Sequence, residues 1–187
     1  MAHKTISDEE MTQKSLELFR AYGFEGVSLK QLADAMGLEK ASLYYRFPGG
    51  KDQIALEMAR SVGVMVRELI LTPLIQRGTS PRRRVQLACE RFRDFYAGGT
   101  KSCTLDLLSI PGTPPKVRET LRAVMHAWLD AFAEVAKESG LSAVQARTRA
   151  EEAILRIEGA LVISRVLGNT ASFDRVLKGL PELLTTV

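Results

Sequence analysis

The sequence predicts an all-helical (all-α) protein with a small N-terminal part and a larger C-terminal part. Over most of its 187 residues, apolar side chains recur at intervals of three and four, and no stretch alternates as a strand would for more than a few residues. Ser-x-x-Glu/Gln sequences, which are typical of helix starts, begin at Ser7, Ser28 and Ser142. We place the domain boundary after residue 50, so that the two parts comprise residues 1–50 and 51–187.

Composition and charge restrict the class of protein. Hydrophobic residues make up 45% of the chain, which is enough for a folded core. The opening residues are polar, and no apolar run approaches the roughly 20 residues that span a bilayer, so we expect a cytoplasmic protein with no membrane partner. The net charge of +4 suits a nucleic-acid partner, although residues 1–50 contain six Lys/Arg against seven Asp/Glu.

The reactive side chains are too few and too scattered for a metal, cofactor or catalytic site. Cys89 and Cys103 are too far apart for a zinc knuckle, and His3 and His126 are the only imidazoles. Ser109 lacks the glycine of a nucleophile elbow, and no glycine-rich phosphate loop has the required spacing. We therefore expect no metal, no cofactor and no enzymatic activity.

The first helix is predicted to begin after Ser7. Glu10 completes a capping box with this serine, and Ile6 and Met11 are placed to form a hydrophobic staple. The apolar stripe of this helix continues until Gly23. The helix can therefore cover the back of the motif that follows it.

A helix-turn-helix pattern follows the first helix. Ser28 and Gln31 form a second capping box, so a short helix is expected from Leu29. It should end at Gly37, because glycine readily adopts the left-handed conformation that ends a helix. This arrangement is typical of the first helix and turn of a helix-turn-helix unit.

The second helix of this pattern should cover about residues 39–46, because the following proline disfavours helix just before it. Leu43 and Phe47 lie on one face and are expected to be buried. Lysine ammonium and tyrosine hydroxyl groups are common phosphate donors, so the opposite face is typical of a nucleic-acid contact. That outer face carries Lys40, Ala41, Ser42, Tyr44 and Tyr45.

Residues 8–60 resemble the DNA-binding motif of TetR-family transcriptional regulators. The resemblance is carried by Leu-Tyr-Tyr-Arg-Phe at 43–47, the Phe-Pro-Gly-Gly-Lys that follows, and the Gly-Phe-Glu-Gly-Val-Ser-Leu before it. The chain has Gly50 where the family often has Ser or Asn, and Tyr45 where it often has His. The resemblance implies about nine helices, with a three-helix helix-turn-helix DNA-binding domain followed by a ligand-binding and dimerisation domain.

The helix-turn-helix from Ser28 to Phe47 and the resemblance together predict a DNA-binding surface. Lys40 and Ser42 would lie nearest the base edges in a major groove. The two tyrosines, Ser28 and Lys51 would hold phosphates, and Lys51 would add to the positive end of the next helix dipole. The predicted members are Ser28, Lys40, Ala41, Ser42, Tyr44, Tyr45 and Lys51.

Six further helices are expected, separated by glycine and proline. The first of them is long and begins beside the predicted DNA-binding surface, so it can link the C-terminal part to that surface. The last one is expected to end before Gly179 and Pro181. The predicted ranges are 51–73, 81–97, 102–110, 114–139, 142–167 and 171–178.

Aromatic and sulfur-containing side chains of the C-terminal part predict an apolar ligand pocket. Its candidate lining residues are Phe92, Phe95, Tyr96, Cys103, Leu107, Met125, Trp128 and Phe132. Polar members would come from Tyr96, Asp106, His126 or Glu158. An ordinary filled core is the alternative, whereas the resemblance implies a pocket for a small-molecule inducer, which would be partly apolar.

The last two helices carry apolar stripes broad enough for a subunit interface, with internal packing as the alternative. The candidate interface residues are Ile154, Ile157, Leu161, Ser164, Phe173, Val176, Leu177 and Leu180. With the resemblance, these features predict a homodimeric repressor that binds a palindromic operator in double-stranded DNA and is released by a small-molecule inducer. The alternatives are a regulator that senses oxidants or electrophiles through Cys103, and a helical protein-interaction module.

Overall fold

The computed structural model describes residues 6–187, and all regular structure in that range is helical. His3 lies outside the described residues. None of the described helices has the combination of length and apolar character that crossing a bilayer requires. The ten α-helices are α1 Asp8–Tyr22, α2 Leu29–Met36, α3 Lys40–Arg46, α4 Gly50–Val66, α5 Thr72–Ile75, α6 Pro81–Phe95, α7 Thr104–Leu108, α8 Pro115–Glu138, α9 Ala143–Leu167 and α10 Ala171–Thr185.

A π-helical turn, Arg67–Leu71, joins α4 to α5 without interruption. Residues 50–75 are therefore one helical segment, and residues 6–187 contain nine such segments together with a short 3-10 turn at Ala97–Gly99. The predicted all-α fold with about nine helices is confirmed.

The chain divides into two compact units. The first contains the chain up to Val64 together with Thr104–Arg122, and the second contains Met65–Cys103 together with Ala123–Val187. The two long helices α4 and α8 each contribute residues to both units. A functional boundary after residue 50 stays a prediction.

Side-chain caps set the helix starts that the sequence predicts. The Ser28 hydroxyl accepts a hydrogen bond from the Gln31 backbone N–H at 3.2 Å, and the Gln31 side chain accepts one from the Ser28 N–H at 2.8 Å. Ser142 and Gln145 repeat this reciprocal pair at the start of α9. At α1, Ser7 accepts from the backbone N–H of Glu10 at 3.1 Å. Each cap satisfies a donor that the helix itself leaves open.

Two proline residues do not end their helices, so two predicted ends are wrong. The helix expected to stop at Pro73 continues to Ile75, and the helix expected to end at 178 continues through Pro181 to Thr185. Proline removes an N–H donor and crowds the carbonyl four residues earlier. Just before Pro73 the helix widens into the π turn, in which the Thr72 N–H donates to the Arg67 carbonyl. The wider turn is one way in which a helix accommodates that crowding.

Most residues that the sequence assigns to a subunit interface are instead packed inside the second unit. Seven of the eight are buried, and Val176 is half-buried; the buried ones are Ile154, Ile157, Leu161, Ser164, Phe173, Leu177 and Leu180. They belong to α9 and α10, which pack on each other, and α10 also packs on α6. These side chains therefore follow the alternative of internal packing, because their apolar area forms part of the core of the second unit.

Arg84 connects three helices of the second unit. Its guanidinium donates to the Leu74 carbonyl in α5 at 3.0 Å and to the Glu138 carboxylate at the end of α8. The Arg84 residue is only 2% exposed. A guanidinium buried to this extent needs a carboxylate partner, because an unpaired charge in the interior is strongly unfavourable.

Replacing Glu138 with alanine should lower the free energy of unfolding by about 2–3 kcal/mol, below the value for fully buried pairs because Glu138 is partly exposed. Glu134→Ala on the same helix is the matched control, since Glu134 has only a 4.0 Å ion pair with the exposed Lys137. The control should change stability by no more than about 0.5 kcal/mol in urea unfolding. Equal losses in the two variants would contradict the role of the Arg84–Glu138 pair.

Candidate nucleic-acid interface

The first unit contains a helix-turn-helix made by α2 and α3. Gly37 ends α2 in the left-handed conformation, with φ 65° and ψ 31°. The next residue, Leu38, donates its backbone N–H to the Ala33 carbonyl at 2.9 Å. This bond satisfies a carbonyl of α2, and the chain turns sharply from Gly37 into α3.

The inner face of the helix-turn-helix is buried against the rest of the unit. Leu43 and Phe47 of the α3 segment have only 1% and 4% of their surface exposed, as the sequence predicts. On α2 the buried side chains are Leu32, Ala33 and Met36. Burial of these apolar groups decides which face of α3 turns outward.

The outer face of α3 carries the side chains predicted to meet DNA. Tyr45 is 91% exposed and Tyr44 43% exposed, while the Lys40 ammonium lies 5.9 Å from the Tyr44 ring centroid. Ala41 is also exposed and Ser42 is half-buried. Large exposed aromatic side chains beside a cation are common where a protein surface meets a partner. Contact of these five residues with DNA stays a prediction.

The other two predicted members, Ser28 and Lys51, are held by groups of the protein itself. The Ser28 hydroxyl donates its one proton to Gln31 Oε1 at 2.8 Å. The Lys51 ammonium donates to the Phe24 carbonyl at 3.0 Å and lies 4.3 Å from the centroid of the Phe24 ring. Both side chains are therefore engaged inward in this structure.

Two further cations bind backbone carbonyls in the same unit, and the sequence analysis does not find them. Lys14 of α1 donates to the Ala35 carbonyl near the end of α2 at 2.7 Å. Arg46, at the end of α3, donates to the Ile6 carbonyl at 3.1 Å and also to the Asp8 carboxylate. These partners are 21 to 40 residues apart in the chain, so local spacing carries no signal for them.

Two family models match the chain. Residues 12–58 match the model of bacterial regulatory proteins of the tetR family. Residues 81–178, which are more than half of the chain, match the model for the C-terminal domain of LmrA/YxaF-like transcriptional regulators. The chain belongs to the TetR family.

Relatives and solved structures agree with this assignment over nearly the whole chain. The HTH-type transcriptional regulator LmrA of Bacillus subtilis (strain 168) is 26% identical over 187 residues, which cover 95% of this chain and 96% of LmrA. A TetR transcriptional regulator from Legionella pneumophila has a TM-score of 0.86 at 16% identity, covering 98% of this chain and 100% of that one. The transcriptional regulator FadR from Bacillus subtilis, in complex with stearoyl-CoA, has a TM-score of 0.73 at 14% identity, covering 96% and 98%.

This TetR-family chain is therefore a DNA-binding transcriptional regulator. TetR regulators bind DNA and small-molecule ligands and act as dimers, and the family is generally non-enzymatic. Within residues 6–187, no group of three or more His, Cys, Asp or Glu side chains is arranged to hold a metal ion.

In the second unit of this TetR-family chain, the aromatic residues predicted to line a pocket contact one another. The Phe92 ring centroid lies 5.3 Å from that of Trp128, 6.2 Å from that of Phe132 and 6.4 Å from that of Tyr96. The Tyr96 ring meets the Phe173 ring at 6.0 Å. These ring contacts connect α6, α8 and α10, as the contacts of an ordinary core would.

Three of the remaining pocket candidates are less deeply placed, whereas Cys103 is buried. Phe95 and Met125 are half-buried, and Leu107 is half-buried on α7, which belongs to the first unit. Of the proposed polar members, Asp106 and His126 are exposed and Glu158 is half-buried. The Trp128 indole N–H is buried and has no hydrogen-bond acceptor among the described residues.

Both cysteines of the chain are buried in the interior, and neither is in a disulfide. Burial raises the pKa of the Cys89 thiol to about 12, the nearby Arg93 lowers it by a smaller amount, and Glu90 raises it. Cys103 is 2% exposed and its sulfur accepts a hydrogen bond from the Tyr96 hydroxyl at 3.4 Å. A thiol that senses electrophiles needs access and thiolate character, so these positions suit structural cysteines.

Neither thiol should react readily with iodoacetamide in the folded protein at pH 8, because both are buried and Cys89 stays protonated well above that pH. Both should be modified after unfolding in guanidinium. Mass spectrometry of the peptides gives the extent of labelling at each site. Rapid modification of Cys103 in the native state would restore the thiol-sensor alternative.

Proposed function

We propose that this TetR-family protein is a homodimeric repressor that binds a palindromic operator and is released by a small-molecule inducer. The observation that carries the proposal is the outer face of α3, where two adjacent tyrosines and Lys40 project from a helix whose inner face is buried. An exposed helix of this kind fits the major groove of B-form DNA.

In the proposed complex, the first residues of α3 read the bases. Lys40, Ala41 and Ser42 lie at the start of α3 and would be nearest the base edges. Tyr44 and Tyr45 are exposed near its end, where their hydroxyls would donate to phosphates. Ser28 would reach a phosphate only if its hydroxyl left Gln31 Oε1.

The dimer interface that we propose uses the outer face of α9, opposite to the residues buried in the second unit. Leu155, Val162 and Val166 are 73%, 41% and 78% exposed, and with Gly159 they recur at intervals of four, three and four residues. Nothing lies within 4 Å of the position that a Gly159 side chain would take. A small residue in an apolar stripe lets a second helix approach closely, and helix pairs use this spacing.

A homodimer of this chain would carry two α3 helices, one for each half-site of a duplex. Helix-turn-helix dimers read half-sites about 34 Å apart, one helical turn of DNA, and their two-fold symmetry requires a palindromic operator. One helix-turn-helix, with a single short recognition helix, makes few base contacts. Specific recognition of the operator would therefore depend on dimerisation.

The inducer in this proposal is partly apolar and binds in the second unit. The fold admits such ligands, since FadR, a protein of this fold, binds stearoyl-CoA. The buried Trp128 N–H has no acceptor within residues 6–187, and a carbonyl or carboxylate oxygen of a ligand would supply one beside the aromatic rings. A coupling of about 1–3 kcal/mol between the ligand and DNA sites would change operator affinity about 5- to 150-fold.

Replacing Val162 with aspartate should dissociate the dimer, because the two-fold axis would place a charge in the interface from each subunit. We expect the dimer dissociation constant to rise at least about 100-fold, as for other buried unpaired charges. Ala123→Asp, at an exposed site on α8, is the matched control and should not change it. Sedimentation equilibrium measures the constants; a Val162→Asp protein that remains as dimeric as wild type would contradict the α9 interface.

Operator binding is tested by selecting duplexes from a random library with the wild-type protein, followed by gel-shift titrations. The selected sequences should be palindromic, and affinity should fall steeply with salt because phosphate contacts release counterions. Tyr44→Phe should weaken binding to all duplexes by a similar factor of about 3 to 10, the effect of one lost hydrogen bond. No salt-dependent affinity for any duplex would favour a protein-interaction module instead.

A further inference from the structure

We propose that Lys51 positions the helix-turn-helix and does not contact a DNA phosphate. Its ammonium joins the turn between α1 and α2 to the start of α4, and so determines the direction in which α2 and α3 leave that turn. This inference rests on the DNA-binding function proposed above, and it assigns Lys51 a role different from the one that the sequence predicts.

The contacts of Lys51 are with the protein itself, and its side chain is part-buried. The ammonium donates to the Phe24 carbonyl at 3.0 Å and lies 4.3 Å from the centroid of the same residue's ring. Phe24 is buried, and its ring stacks on that of Phe19 at 5.9 Å. A charge-assisted hydrogen bond and a cation–π contact to one residue hold the ammonium more firmly than either does alone.

The carbonyl that Lys51 binds lies at the entry to α2. The Phe24 oxygen also accepts the backbone N–H of Val27, at 3.4 Å, and Val27 is almost wholly buried just before the Ser28 cap. The Phe24 carbonyl therefore accepts two hydrogen bonds, one from the Val27 N–H within the turn and one from the Lys51 ammonium. Releasing the ammonium would free the turn to move relative to the start of α4.

The backbone next to Lys51 lies close to α2 and α3. Gly50 begins α4 with φ +60° and is buried. A side chain at this glycine would start only 3.5 Å from Leu29 Cδ1 and 3.9 Å from Tyr44 Cε1. The start of α4 thus lies against the first residue of α2 and against a tyrosine of α3, so a shift of one displaces the others.

Lys14 and Arg46 make the same kind of contact as Lys51 in this unit. Lys14 holds the end of α2 through the Ala35 carbonyl, and Arg46 holds the end of α3 through the Ile6 carbonyl. All three ammonium or guanidinium groups are part-buried and bind backbone oxygens distant in sequence. Lys40, in contrast, is exposed on the outer face of α3 and serves as the matched cation for a test.

The test compares Lys51→Met, Lys51→Gln and Lys40→Met with wild type on a duplex that the wild-type protein selected from a random library. A phosphate contact and a positioning contact differ in their salt dependence, because only the former releases counterions; each lost phosphate contact reduces the slope by about 0.9. Binding is measured between 50 and 300 mM salt, roughly the range in which such slopes are resolved, at a temperature where circular dichroism shows all four proteins folded.

We expect Lys51→Met to weaken binding about tenfold, the effect of one charge-assisted hydrogen bond, with an unchanged slope. Lys51→Gln keeps a neutral donor for the Phe24 carbonyl and should lose less affinity, again with an unchanged slope. Lys40→Met should flatten the slope. In Lys51→Met, amide hydrogen exchange of residues 24–28 should also accelerate in the free protein.

Two results would overturn the proposal. A flattened slope in both Lys51 variants would make Lys51 a phosphate contact, and unchanged affinity in Lys51→Met would make it a residue of stability alone. Failure of the wild-type protein to select or bind any duplex would instead contradict the proposed DNA-binding function, so the two failures are distinguishable.

Discussion

A helix of seven residues is not stable by itself in water, so α3 depends on the burial of its inner face. Its first turn has no side-chain cap, and its stability comes from Leu43, from the adjoining Phe47 and from the bonds that Arg46 makes to the start of the chain's first helix. This constraint divides the helix sharply. The apolar side chains that anchor α3 point inward, and Lys40, Tyr44 and Tyr45 are exposed on its other face.

The first unit contains the proposed DNA-binding surface, yet residues 1–50 of that unit contain six Lys/Arg against seven Asp/Glu. Several of its cations are used to hold backbone carbonyls, as Lys14, Arg46 and Lys51 show. A carbonyl at a turn or a helix end needs a donor, and a long cationic side chain supplies one across a distance that the backbone cannot span. Net charge is therefore a poor guide to the proposed DNA-binding surface, and the orientation of individual side chains is a better one.

Helix caps and turns can be predicted from neighbouring residues in the sequence, whereas contacts between residues distant in sequence cannot. The caps at Ser28 and Ser142 and the turn at Gly37 depend on neighbours in the chain, and the structure confirms them. The partners of Lys14, Arg46 and Lys51 depend on how helices pack, which spacing alone does not reveal. Burial of α3 could be predicted from its period, but the inward direction of Lys51 could not.

Helix α9 shows a second limit of sequence reasoning. It is apolar on two faces, one buried in its own unit through residues such as Ile157 and Leu161, the other exposed through Leu155 and Val166. Periodicity indicates that both stripes exist and cannot tell which one the chain buries itself. Pro73 and Pro181 show a related limit, because both helices continue where the residue type favours an end.

The claim on which the functional account depends is that the outer face of α3 contacts DNA. The most direct measurement places the photoreactive residue benzoylphenylalanine at Tyr45 and irradiates the full-length protein bound to its selected duplex. The account predicts a covalent protein–DNA adduct that excess unlabelled duplex suppresses, because this side chain is almost fully exposed. A complex that forms on the same duplex without any adduct from this position would contradict it.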